Sequence, residues 1–143
     1  MAFIPDKVLE KEELPICFGQ WMRGVDIDPK IWPLVRILNL KGIKTAASCE
    51  GHYVIVHETY PLPWISLDFY QFMYDPKKVE LVDRLRQVFV DYNTKNEIHW
   101  DVVQHDLSVG IEDYNMVKPV TFADIFSLQR TIPSVTKHIE DHL

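Results

Sequence analysis

"IHWDVVQHDLSVGIED", residues 98–113, is the stretch from which the fold class follows. Apolar and polar side chains alternate on both sides of a short polar centre, the pattern of a half-buried strand that turns back on itself. With the turn centred on His105-Asp106, Trp100 falls opposite Ile111 and Val102 opposite Val109, so these four apolar side chains share one face. His99, Asp101 and Val103 share the other face with Ser108, Gly110 and Glu112, and His99 lands opposite Glu112. His-Asp is a mediocre pair for a two-residue turn, which favours Asn-Gly. A hairpin that is apolar on one face needs a second layer to cover it.

Helices on either side supply that layer. Upstream, "DPKKVELVDRLRQVFVDYN" (75–93) places Asp75 as N-cap and Pro76 at the first helical position. Leu81, Val82, Leu85, Val88, Phe89 and Tyr92 then form one apolar stripe. Downstream, "KPVTFADIF" (118–126) offers Thr121 as N-cap, Asp124 in the capping-box place and a Val120–Ile125 staple. Ile125, Leu128, Ile132, Val135 and Ile139 continue at helical spacing, with Pro133 predicting a kink or two short helices. Nearer the N-terminus, "DIDPKIWPLVRILNLKG" (26–42) reads as a helix with Asp28 as N-cap, Pro29 at the first position and Gly42 as its stop, in which Pro33 can delay the regular helix until that point. Three strand candidates follow: "IKTAAS" (43–48), "YVIVHE" (53–58) and "PWISLDFYQF" (63–72). The expected architecture is α+β: a largely antiparallel or mixed sheet of about five strands with about three packed helices.

At 143 residues with no repeat or linker tract, the chain reads as a single domain, 1–143, in which 1–27 is an irregular N-terminal wrap. Hydrophobic residues at 47% and charged residues at 25% suffice for a core without disulfides. The net charge of −6 disfavours a broad nucleic-acid face, because phosphate binding depends on clustered Lys and Arg. No apolar run approaches the ~20 residues of a membrane span, so a cytoplasmic address without membrane partners is expected. Two cysteines, Cys17 and Cys49, read as free thiols there. Five glycines without a G-x-G-x-x-G, Walker or G-x-S-x-G pattern give no support to a phosphate cradle or a nucleophile elbow.

The chemically loaded stretch is "TAASCEGH" (45–52). Gly51 can take the positive φ that a sharp reversal needs, projecting Cys49, Glu50 and His52 from a strand end. Cys49, His52, Ser48 and Glu50 are the candidate catalytic residues. A thiolate would serve as nucleophile, with His52 as its acid–base partner. Cys49 and His52 have a Cys-x₂-His spacing that also suits a shared zinc ion, completed by water or by His57, His99, His105 or Asp68. Thr45, Gly51, Trp64, Asp68 and His99 are candidate ligand contacts. The polar strand face of Ser66, Asp68, His99, Asp101 and Glu112 would offer acid–base groups if its strands are neighbours. The plainer reading is a buried thiol at a turn, with the polar face in water.

"T-x-x-S-C-E-G-H" (45–52), followed by a strand and then "P-W-I-S-L" (63–67), resembles a motif in small bacterial and phage proteins of unassigned function. It is also distantly similar to the Ser-Ser-Cys-Ser-Gly-Arg segment of the wybutosine-tRNA methyltransferase family, over about ten residues. That resemblance implies an α+β protein that uses S-adenosylmethionine, with Ser48, Cys49 and Gly51 in the conserved loop and His52 in place of its arginine.

His138 and His142, one turn apart with no acidic partner in a HExxH arrangement, read as a solvated helix end, where positive charge suits the helix dipole. Two functions compete. The first is an enzyme or small-molecule-binding protein with its site at Ser48–His52, with nucleotide or nucleic-acid modification as the reaction class. The second is a non-catalytic interaction module, phage-related or homodimeric, with a structural loop.

Overall fold

A computed structural model of the chain describes residues 27–51, 62–103, 107–111 and 122–143. The hairpin forms in the expected register. β3 (Trp100–Val103) pairs antiparallel with β4 (Ser108–Ile111), with Trp100 opposite Ile111 and Val102 opposite Val109. All four side chains are buried, Trp100 and Val109 completely. Leu107, entering β4, takes a positive φ of 47°. Its centre, His105-Asp106, lies outside the described residues, as does Glu112.

β2 (Trp64–Leu67) joins the other edge of β4, and β1 (Thr45–Cys49) joins β2. The result is a four-stranded sheet of order β1-β2-β4-β3 in which every neighbouring pair is antiparallel. The candidate strand 53–58 lies outside the described residues, and of the N-terminal wrap only Ile27, which is buried, is described. The third strand candidate, 63–72, in which Ile65, Leu67 and Phe69 alternate with Ser66, Asp68 and Tyr70, is shorter than that alternation suggests. It ends at Leu67 and gives way to α2 (Tyr70–Tyr74). Asp68 ends it: its carboxylate accepts the Tyr70 N–H at 3.1 Å, and its carbonyl accepts from Gln71 Nε2 at 2.8 Å. Local side-chain bonds of this kind draw the backbone out of a ladder.

Five helical segments occur among the described residues, where about three helices were expected. α1 (Trp32–Leu40) begins later than Asp28-Pro29 implied. The Asp28 carbonyl closes a preceding turn by accepting from Ile31 and Trp32, while Pro33 occupies the first turn of the helix. Gly42 ends it as expected, with a φ of 96°. Gly42 N–H donates to Asn39 and Ile43 N–H to Leu38, the paired bonds of a Schellman stop. α3 (Pro76–Asn93) starts as predicted, the Asp75 carboxylate accepting the Lys77 N–H at 3.0 Å. The break near Pro133 also occurs: α4 (Phe122–Gln129) and α5 (Thr131–His142) meet at Arg130. Thr121 and Val120 lie outside the described residues.

α1, α3 and α5 form the helical layer over the apolar face of the sheet. Ile31, Leu34, Val35 and Leu38 meet Leu85, Phe89, Ile132, Val135 and Ile139 in one core with Ile65 and Trp100. Polar bonds fix the layers to each other. Asn39, buried in α1, donates to Thr45 Oγ1 at 3.0 Å, and Trp100 Nε1 donates to Thr131 Oγ1 at 2.8 Å. Asn93 clasps the Trp100 backbone through both its N–H and its carbonyl. No helix among the described residues is long and apolar enough to cross a membrane.

Candidate functional site

The corner after β1 is held from two sides. Gly51 takes the positive φ expected of it, 89°. Asp28 accepts the Glu50 N–H through Oδ2 at 3.1 Å, and Gln129, the last residue of α4, donates its Nε2 to the carbonyls of Glu50 (3.1 Å) and Gly51 (2.9 Å). Lys30 Nζ donates to Gln129 Oε1 at 3.0 Å, and the Lys30 and Arg130 cations lie over the Phe126 ring. Backbone groups at a reversal need such partners once they leave the ladder. Asp28, Lys30 and Gln129 were not among the candidate residues. Asp28 looked like an ordinary helix cap, and Gln129 carries no local signal for a contact so distant in sequence.

Cys49 is half-buried, and its Sγ accepts the Gly51 N–H at 3.4 Å. Burial pushes the thiol up from its ordinary value. The Gly51 N–H draws it partly back, while the charge and hydrogen bond of Asp28 and the charge of Glu50 raise it further. The environment therefore favours the neutral thiol and opposes a resting thiolate. His52, the expected acid–base partner and second zinc ligand, lies outside the described residues, as do His57 and His105.

The remaining candidates separate along the sheet. Cys49 pairs with Trp64, which pairs with Gly110, which pairs with Asp101, so these four form one row across the strands. Trp64 is thus the immediate neighbour of the loop. Ser48 pairs with Ile65 and is half-buried. Thr45 lies at the far end of β1, buried opposite Leu67 and bonded to Asn39. Asp68 follows β2 at that same end, its carboxylate occupied by the Tyr70 N–H. His99 precedes β3 at the opposite end, half-buried, roughly 20 Å from Asp68 along the strand direction alone. The structure brings Ser48, Cys49, Glu50, Gly51 and Trp64 together and leaves Thr45, Asp68 and His99 apart from them. On the polar face Ser66 sits beside Ser108, and Asp101 beside Gly110.

A second cluster forms where none was expected. His138 and His142 of α5 approach Asp91 of α3, with one donor atom from each side chain lying within 4.8 Å of the others. The acidic partner that the local sequence lacks arrives from another helix.

No protein-family model matches this chain, and neither a curated protein nor a solved structure shows significant similarity to it.

Proposed function

We propose that this chain is a small ligand-binding protein or enzyme whose site is the corner Ser48–His52. The observation that carries the reading is the clamp. Asp28 and Gln129 hold the Glu50 and Gly51 backbone immediately after Cys49 from separate elements, which presents a thiol, a carboxylate and backbone groups in one fixed arrangement beside Trp64. A preorganised set of this kind lowers the ordering cost of binding. Cys49 acts as a protonated thiol contact, in keeping with its raised value, with Asp28 as its hydrogen-bond partner. Ser48 and Gly51 provide donors and close backbone approach, and Trp64 offers a flat apolar neighbour.

The resemblance of the loop makes nucleotide or nucleic-acid modification, with S-adenosylmethionine as the methyl donor, the first class to test. Calorimetry with S-adenosylmethionine is expected to show saturable binding in the wild type and its loss in a folded Cys49→Ser or Asp28→Asn protein. No heat with the wild type removes the methyl-donor reading. Equal binding by all three proteins removes the corner as its site.

A second reading, a homodimeric interaction module, is supported by the exposed Phe69, Tyr70, Met73 and Tyr74 at and around α2. Contiguous exposed aromatics of this kind mark association surfaces. Sedimentation of the wild type against Phe69→Ser/Tyr74→Ser separates the two: a monomer at all concentrations sets the module reading aside.

A further inference from the structure

We infer that Asp91, His138 and His142 form a divalent transition-metal site that joins α3 to α5, with zinc as the fitting ion. The site is independent of the Ser48–His52 corner and uses none of its residues. His138 and His142 stand one helical turn apart, so both imidazoles leave α5 on one side. Their ring centroids are 4.3 Å apart, tilted by 41°. Asp91 comes from the last turn of α3, adjacent to Tyr92 of the buried stripe. The register of the two helices is fixed next to the cluster: Tyr92 Oη lies 2.7 Å from Ser134 Oγ, and the Tyr92 ring meets His138 edge-on at 5.6 Å.

The geometry of His138 points to the ion. Its Nε2 is buried and lies 3.0 Å from Asp91 Oδ2, yet the contact is off the line of a hydrogen bond, so this nitrogen has no such partner. A buried ring nitrogen left this way is costly unless something else satisfies it. Two atoms bound to one tetrahedral zinc at about 2.0–2.2 Å each sit roughly 3.3–3.6 Å apart without bonding to one another. Nε2 and Oδ2, at 3.0 Å, need to open only slightly to admit the ion between them.

The donor set selects the metal class. Two imidazoles and one carboxylate suit zinc and its neighbours; magnesium and calcium prefer oxygen throughout. Asp91 and His142 are exposed, so water can complete the coordination. Two histidines and one carboxylate with an open position can be structural or hydrolytic. Here the ion ties two core helices together across their solvent edge.

The test uses the full chain, freed of metal with chelator and titrated with Zn²⁺ by calorimetry and with Co²⁺ by visible absorption. About one ion per chain is expected, with the Co²⁺ bands of a low-coordinate nitrogen–oxygen site and a melting temperature that rises with added metal. His142→Ala, at an exposed position, and Asp91→Asn are expected to keep the fold by circular dichroism and to weaken binding at least about tenfold, close to 1.4 kcal/mol. Cys49→Ser is expected to bind as the wild type does. Absence of saturable binding overturns the proposal. Undiminished binding by His142→Ala, or its loss in Cys49→Ser, overturns it too, the latter by moving the ion to the Cys49–His52 corner.

Discussion

Asp28 shows how a residue's role depends on what folds next to it. Its place before Pro29 suits a helix cap, but the helix starts later and the carboxylate turns to the Glu50 amide and the Cys49 thiol. That negative charge opposes ionisation of the thiol. In a Cys17→Ser background, Cys49 is therefore expected to react with iodoacetamide no faster than free cysteine at neutral pH. Asp28→Asn, which removes a cause of the upward shift, should speed the reaction at mildly alkaline pH. Faster labelling of the parent than of free cysteine would show an activated thiolate instead. The same shift has a consequence for stability. The unfolded chain releases the thiol proton near its ordinary value, about 8.5, while the folded chain retains it. The stabilisation from Cys49 is thus complete below that value and is lost as pH rises towards and through the raised one. Urea midpoints measured from neutral to alkaline pH should fall more steeply for the parent than for Cys49→Ser. The thiol itself was legible in the sequence; its neighbours Asp28 and Gln129 were not, because they come from elements distant in the chain.

At the scale of elements, the signals that read correctly were those whose cause is local. Asp75-Pro76 starts α3 because a carboxylate meets an orphan amide within two residues. Gly42 stops α1 because only glycine takes a φ of 96° without strain. Gly42→Ala is accordingly expected to destabilise by about 1–2 kcal/mol, since the left-handed conformation penalises a Cβ. The added methyl would also come within 3.4 Å of Leu81 Cδ2. Chemical denaturation measures this, and a change below about 0.5 kcal/mol would show that the backbone relaxes there. Pro133 is accommodated by position. It falls in the first turn of α5, where a missing N–H costs no internal hydrogen bond. The third strand was misjudged because alternation continues through Asp68 and Phe69, while Asp68 and Gln71 had already closed a turn.

For the whole molecule, stability concentrates where α5 enters the core. Ile132 is fully buried among residues of the helical layer and the sheet. Ile132→Ala is expected to cost about 2–5 kcal/mol, the transfer and cavity terms together. A loss below ~1 kcal/mol in urea denaturation would mean that the layers close over the gap. Periodicity alone established the α+β class, the β3–β4 register and nearly every core position on α3, α4 and α5, because burial must follow the geometric period of each element. The strand order β1-β2-β4-β3, the clamp on the Cys49 corner and the meeting of Asp91 with His138 and His142 were settled only by the tertiary structure. Each depends on which elements become neighbours. That choice follows from packing the whole core at once, and no short stretch of sequence encodes it.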